Sequence, residues 1–127
     1  MTLTLSLLPD MYAICRLEPE ATIPDWANAG GFISITRTSD ELSLVCLEAN
    51  VPVDVKADRG WRCFKVEGLL DLSLTGVLAS LANPLAEARI NIFAISTFDT
   101  DYLLVKENKL TQAAEVLIRA GHRLANR

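Results

Sequence analysis

The sequence predicts an α+β fold whose second half follows the strand and helix order βαββαβ, the ferredoxin-like arrangement. Three observations lead to this prediction. Several short segments alternate apolar and polar residues as strands do, two segments carry apolar residues at helical spacing, and one hairpin pattern occurs twice. A chain of 127 residues holds one ordinary domain or two very small ones.

The first half of the chain is predicted to be mostly strands. Pro24 suits the first turn of a short helical segment, where no backbone donor is required. The polar residues 38–41 suit a four-residue hairpin loop. In order, the predicted elements are strands Thr2–Leu8 and Tyr12–Leu17, a helical segment Pro24–Asn28, and the hairpin strands Phe32–Arg37 and Leu42–Leu47.

The second half begins with a strand and an amphipathic helix. Trp61–Glu67 alternates apolar and polar residues, and Gly68 ends the strand. The following apolar residues lie at helical spacing, with Asp71 or Ser73 as the expected N-cap. They are Leu74, Val77, Leu78, Leu81 and Leu85.

A second hairpin and a second helix complete the order. We expect Asn108 to cap the last helix and Gly121 to end it. The single histidine, His122, is then expected in a frayed tail beside the helix C-terminus. The elements are strand Ile90–Ile95, turn Phe98–Asp101, strand Tyr102–Val105, a helix with the face Leu110, Ala113, Ala114, Leu117 and Ala120, and a short strand His122–Leu124.

The two hairpins resemble each other in sequence. Ile33–Val45 aligns without a gap over Phe93–Val105 at an offset of 60, with an acidic turn over an acidic turn. The chain is therefore predicted to contain two tandem units, the first of them abbreviated because its long helix is missing. The predicted domains are residues 1–59 and 60–127.

Composition excludes several classes of function. Sixteen acidic and twelve basic residues give a net charge of −4, which gives no electrostatic basis for binding nucleic acid. No apolar stretch is long enough to cross a membrane, and the first residues lack the pattern of a signal peptide. Scattered cysteines and one histidine offer no metal site, and no cofactor motif is present. Three unpaired cysteines inside apolar runs, Cys15, Cys46 and Cys63, indicate a reducing compartment, so we expect a cytoplasmic protein.

Two segments carry candidate ligand-binding groups. Gly68–Gly76 joins a strand to a helix, and backbone N–H groups at a helix start attract a carboxylate. Thr97–Asp101 contains two carboxylates and two hydroxyls, which can hold an ammonium group. Taken alone, the first pattern is more typical of a capped helix and the second of a solvated hairpin loop.

The run Leu74–Thr97 resembles the core of ACT domains, the small regulatory modules of aspartate kinases and other amino-acid enzymes. It places Gly76 at the first helical turn, and it contains LAEARINI (Leu85–Ile92), where the family phrase has glycine at the position of Arg89. ISTFDTDYLLVKE (Ile95–Glu107) is similar to the branch that includes the cytosolic arginine sensors of animals. The front half, with LPDMYAICRL, ITRTSDELSLVC and the GW pair, is similar to that branch as well.

The resemblance implies two ACT-like units that bind a free amino acid at an interface. Thr97, Phe98 and Asp101 match the positions that bear on the ligand in that branch, and Leu72–Gly76 matches the loop that binds its carboxylate. The backbone at Ser73–Gly76 would receive the carboxylate, Asp101 with the Thr97 hydroxyl the ammonium, and Phe98 and Leu74 would shape the side-chain pocket. An acid that helps hold a cationic side chain in that branch falls near Leu74 here, so an apolar or small ligand is as plausible as arginine. The candidate ligand-binding residues are Leu72, Ser73, Leu74, Thr75, Gly76, Thr97, Phe98, Asp99 and Asp101.

Three function classes follow, and the first is preferred. It is a non-catalytic regulatory module, expected to form a homodimer and to act on an unidentified downstream protein through altered assembly. The alternative is an ACT-fold interaction or oligomerisation protein without a ligand. A small enzyme is the third class, but no catalytic motif supports it and a histidine in a frayed tail is a poor base.

Overall fold

The computed structural model describes residues 1–68 and 75–125, and the chain divides into two compact units. The amino-terminal unit is Asp10–Trp61, and the carboxy-terminal unit combines Met1–Pro9 with Arg62–Arg127. The boundary between them falls inside a strand, and the first nine residues belong with the second half of the chain. The division into repeats at residues 59 and 60 stays a prediction.

The elements follow the predicted order, and the α+β fold with a βαββαβ second half is confirmed. The strand predicted to start at Trp61 starts four residues earlier, at Ala57. The strands are β1 Thr4–Leu7, β2 Tyr12–Leu17, β3 Ser34–Arg37, β4 Leu42–Leu47, β5 Ala57–Val66, β6 Ile92–Ser96, β7 Asp101–Lys106 and β8 Arg123–Leu124. The helices are α1 Val77–Glu87 and α2 Leu110–Arg119, and short 3-10 turns cover Asp25–Ala27, Glu48–Asn50 and Glu107–Lys109.

The amino-terminal unit is a small antiparallel sheet. β4 lies between β3 and β2, and β2 also pairs with the first part of β5. Apolar side chains from β2 and β4 pack with Ala27 of the first 3-10 turn and with Val51. Where the sequence predicts a short helical segment over Pro24–Asn28, the structure has this single 3-10 turn.

The carboxy-terminal unit places both helices on an apolar core. β6 pairs with β7, β7 with β5, and β5 with β1. β8 runs parallel to β1, so β1 lies between β5 and β8. The core joins apolar residues of these strands with Val77, Leu81 and Leu85 of α1 and with Ala113, Ala114 and Leu117 of α2.

The two hairpins correspond at an offset of 59, not at the predicted 60. Arg37 pairs with Leu42 to close the first hairpin, and Ser96 pairs with Asp101 to close the second, 59 residues later in both strands. Because side chains alternate between the two faces of a strand, a shift of one residue exchanges the faces. The gapless alignment of apolar residues therefore matched the wrong faces, and Leu42 rather than Glu41 stands in the place of Asp101.

Pro52 explains why the first unit lacks a counterpart of α2. The 3-10 turns Glu48–Asn50 and Glu107–Lys109 also lie 59 residues apart. After the second turn, Leu110 has helical backbone angles and α2 continues. After the first turn, Val51 is extended (φ −84°, ψ 121°), as expected for a residue that precedes proline. The helix therefore cannot begin there.

Both predicted helix caps are wrong. Gly76, with a left-handed backbone (φ 78°), is the N-cap of α1 in place of the predicted Asp71 or Ser73. These two residues themselves lie outside the described part of the chain. Asn108 does not cap α2 because it lies inside a 3-10 turn, and Lys109 takes the cap position without a side-chain hydrogen bond.

His122 is buried rather than frayed, with 4% of its surface exposed. The Leu3 backbone N–H donates to its Nδ1 at 3.1 Å, which leaves the proton on Nε2. Nε2 lies 3.0 Å from the carbonyl oxygen of Ser80 and donates to it. That carbonyl is the one that the N–H of residue 84 would meet in a regular helix, and Pro84 has no N–H. His122 therefore supplies the donor that proline removes from α1.

Arg89→Gly is expected to stabilise the protein by about 1 kcal/mol. Arg89 follows the end of α1 with φ 61°, and Ile90 N–H donates to Leu85 C=O at 2.9 Å across it, so it has the position that glycine favours at helix ends. Gly121 has the same position after α2, with His122 N–H bonded to Leu117 C=O. In urea unfolding, Arg89→Gly should raise the free energy of unfolding, and the reverse control Gly121→Ala should lower it. A lower midpoint for Arg89→Gly would contradict this account.

Candidate functional site

The turn between β6 and β7 is built by Thr97. Its backbone N–H donates to the Thr100 carbonyl at 2.9 Å, and its hydroxyl donates to the same carbonyl at 3.0 Å. The Thr100 N–H in turn donates to the Thr97 hydroxyl at 3.3 Å. The hydroxyl proton is therefore used within the turn, and Thr97 keeps only acceptor capacity for a ligand ammonium.

Thr100 attaches this turn to the end of β5. Its hydroxyl donates to the Val66 carbonyl at 2.7 Å, and the residue is 4% exposed. Val66 is the last residue of β5, from which the chain leads to the start of α1. The bond therefore holds the 97–101 turn, one half of the predicted site, at the end of β5. The other half, at the start of α1, follows β5 in the sequence.

Three predicted site residues lie in the anchored turn or directly after it. Asp101 is the first residue of β7 and half-buried, and its carboxylate has no hydrogen-bond or ion-pair partner among the described residues. Asp99 is exposed. Phe98 is 78% exposed, which is unusual for a large apolar side chain. The arrangement offers a carboxylate and an aromatic surface to a small cationic or amphiphilic group.

The helix-side half of the predicted site is only partly described. Thr75 and Gly76 are exposed, and Gly76 precedes the first helical residue of α1 without adding a side-chain cap. The first N–H groups of a helix have no acceptor inside the helix. Leu72, Ser73 and Leu74 lie outside the described residues, so the predicted carboxylate loop stays a prediction.

Thr100 was counted among the hydroxyls of the Thr97–Asp101 segment, but its burial and its bond to Val66 were missed. It stood between two carboxylates in a polar turn, where a hydroxyl gave no sign of being buried. The hairpin correspondence could have found it, because Glu41 takes its place in the first turn and a charged residue there cannot donate to a buried carbonyl. That signal depends on the offset of 59, which only the strand pairing shows.

The three cysteines are free and buried. Burial raises the pKa of the Cys63 thiol to about 12, so this thiol stays protonated at neutral pH. Cys15 and Cys46 share a hydrogen bond that lowers the pKa of Cys15 and raises the pKa of Cys46. With His122 engaged on both nitrogens elsewhere, the described residues hold no Cys–His pair of the kind that activates a nucleophile.

The sequence predicts neither a metal site nor a membrane-spanning segment. Within residues 1–68 and 75–125, no three His, Cys, Asp or Glu side chains come close enough together to hold a metal ion. In the same part of the chain, neither helix has the length and apolar character needed to cross a membrane.

A curated relative matches part of this sequence, and solved structures share its fold. The human cytosolic arginine sensor for mTORC1 subunit 1 is 39% identical over 67 residues, which is 52% of this chain and 20% of that protein. The chain thus matches only about a fifth of the length of this relative. A crystal structure of an Agobacterium tumefaciens protein is 46% identical, with a TM-score of 0.95 over 100% of this chain and 95% of that one. The regulatory subunit of Thermus thermophilus aspartate kinase shares the fold, with a TM-score of 0.61 at 15% identity over 91% and 96% of the two chains.

Family models cover both halves of the chain. A model of an N-terminal domain matches residues 10–54, and the ACT domain model matches residues 56–119, which is half of the sequence. The second match contains β5, both helices and the anchored turn. The chain therefore belongs to the ACT domain family.

Proposed function

We propose that this protein is a non-catalytic regulatory module that binds a free amino acid at the interface of its carboxy-terminal ACT unit with another ACT unit. Binding changes assembly, and the altered assembly acts on a downstream protein. A homodimer in the cytoplasm is the proposed working state. The ligand favours one assembly because it binds that assembly more tightly than the other.

The observation that carries this proposal is the half-buried Asp101 carboxylate, which has no partner within residues 1–68 and 75–125 and follows a turn that Thr100 anchors to the end of β5. A carboxylate in that setting can bind an ammonium group through charge-assisted hydrogen bonds. The N-terminus of α1 follows in the same unit and suits the carboxylate of the same ligand. Similarity to a human protein named as an arginine sensor adds support for an amino-acid ligand.

The second candidate is an assembly protein that keeps the ACT fold without a ligand. The exposed side chains of edge strand β3, including Ile35, favour it because an unpaired strand edge can join another sheet. Under this alternative the protein forms a stable oligomer whose state does not respond to amino acids.

A thermal-shift screen against the twenty common amino acids, with the oligomeric state followed by light scattering, tests the proposal. A ligand at a hundredfold excess over its Kd stabilises the native state by about 2.7 kcal/mol, a rise in Tm on the order of 10 °C. Asp101→Asn should weaken that ligand at least tenfold, because it removes the charge that faces the ammonium.

Asp40→Asn is the matched control. Asp40 stands in the corresponding turn of the first hairpin, 59 residues before Asp99, and is exposed. Asp40→Asn makes the same change of charge at a residue that is not part of the proposed site, so the ligand-induced rise in Tm should be retained. Silence of the native protein across all twenty amino acids, together with a stable oligomer, would favour the assembly protein.

A further inference from the structure

We infer that Thr100 is the positioning residue of the proposed amino-acid site: its hydroxyl holds the 97–101 turn at the end of β5 and thereby sets ligand affinity. The inference rests on the proposed function and gives Thr100, whose hydroxyl the sequence placed among possible ammonium-binding groups, a structural role instead. Thr100 does not contact the ligand in this account. It acts through Asp101, the next residue in the chain.

The contact itself is specific and shielded from water. The Thr100 hydroxyl lies 2.7 Å from the Val66 carbonyl oxygen, and the residue is almost fully buried while Phe98 and Asp99 beside it are exposed. Thus the turn has one inward-facing polar side chain among outward-facing neighbours. Removing a buried donor leaves its acceptor unsatisfied, which costs more than the bond contributes on average.

The first hairpin shows that the turn forms without this hydroxyl. There Thr38 makes the same bonds: its N–H donates to the Glu41 carbonyl at 2.9 Å, and the Glu41 N–H donates to the Thr38 hydroxyl at 3.2 Å. Glu41 replaces Thr100 and has no hydroxyl to donate. The Thr100 bond to β5 is therefore additional to the turn, and building the turn does not explain it.

The comparison of the two hairpins also links the Thr100 hydroxyl to the Asp101 carboxylate. In the first hairpin, Leu42 stands where Asp101 stands in the second, so that turn lacks the anchor and the carboxylate together. In the second hairpin, both are present on adjacent residues. A carboxylate that must meet one end of a small ligand gains affinity when its position relative to the other contact is fixed beforehand.

The position that Thr100 fixes is relevant to both ends of an amino acid. Val66 ends β5, and the chain continues from it to Gly76 and α1. A ligand held by its ammonium at Asp101 and by its carboxylate at the start of α1 requires a set distance between these points. The Thr100 hydroxyl bond fixes the turn next to Asp101 relative to β5, and β5 is the strand that precedes α1 in the sequence.

The experiment titrates the native protein, Thr100→Val and Thr100→Ser with each of the twenty common amino acids and follows Tm. Valine keeps the shape of threonine and removes the hydroxyl, whereas serine keeps the hydroxyl. For any amino acid that raises the Tm of the native protein, we expect Kd to rise at least tenfold in Thr100→Val and to stay within threefold in Thr100→Ser. Gly121→Ala, which loses stability at the end of α2, should leave Kd unchanged.

Each contrary outcome has its own meaning. If no amino acid affects the native protein, the proposed function fails and this inference fails with it. If the native protein responds and Thr100→Val binds equally well, only this inference is overturned. It is also overturned if Thr100→Ser binds as weakly as Thr100→Val, or if Gly121→Ala weakens binding equally, because affinity would then follow side-chain bulk or global stability rather than the hydroxyl.

Discussion

His122→Ala is expected to destabilise the protein by about 2–5 kcal/mol, and Pro84→Ala is expected to return part of that loss. Without the imidazole, the Leu3 N–H and the Ser80 carbonyl both lose their partner. An unsatisfied buried polar group costs about 1–3 kcal/mol, and the cavity left by the ring adds to this.

The double variant His122→Ala/Pro84→Ala isolates the helix contribution. Alanine at position 84 has the N–H that a regular helix would donate to Ser80 C=O, so in the absence of His122 the helix can satisfy its own carbonyl. We therefore expect the two changes to be non-additive by about 1–2 kcal/mol, with the double variant more stable than the sum of the singles predicts.

Urea unfolding of the native protein, the two single variants and the double variant measures this coupling. Arg123→Ala is the control, because Arg123 is the exposed neighbour of His122 and its loss should change stability by no more than about 0.5 kcal/mol. Additivity of the two single changes would show that His122 stabilises the unit without serving the carbonyl that Pro84 leaves unpaired.

Gly30→Ala is expected to cost about 2–4 kcal/mol, whereas Gly31→Ala should be close to neutral. A Cβ on Gly30 would lie 2.7 Å from Leu47 Cδ1 and 2.8 Å from Leu47 Cγ, and the backbone there has φ 112°. Overpacking and unfavourable backbone angles each cost about 1–3 kcal/mol. A Cβ on Gly31 meets nothing within 4 Å.

Leu47→Ala separates the two contributions at Gly30. In that background the new methyl group has room, so Gly30→Ala should keep only its backbone cost. Thermal and urea unfolding of the four combinations would measure both terms. Equal destabilisation by Gly30→Ala and Gly31→Ala would contradict this account, since of the two glycines only Gly30 combines a positive φ with a close approach to Leu47.

The sequence predicted the hairpins most closely where turn chemistry and alternation agree. β2 and β4 begin and end at the predicted residues, and the first polar turn lies where expected. The second turn was predicted at Phe98–Asp101 but spans residues 97–100, because Asp101 pairs with Ser96 as the first residue of β7. The candidate turn with Thr97, Phe98, Asp99 and Asp101 came from the same local pattern and from the family resemblance. Its role in binding stays a prediction.

Features that depend on distant residues were not predictable in this way. β5 starts early because β2 pairs with its first residues, and β1 is placed by β5 and β8, which stand far from it in the sequence. The burial of Thr100 depends on Val66, 34 residues away, and that of His122 on Leu3, 119 residues away.

The sequence by itself determined the α+β class, the order of elements, the position of the first turn and the ACT family resemblance. The first three follow from side-chain periodicity and turn preferences, which act over a few neighbouring residues. The resemblance rests on the family motifs in Leu74–Thr97 and Ile95–Glu107. Only the tertiary structure decided the offset of 59, the partner of β1, the anchor at Thr100 and the hydrogen bond that His122 supplies to α1. Strand register and buried hydrogen bonds depend on contacts between residues that are far apart in the sequence, and local sequence patterns do not specify those contacts.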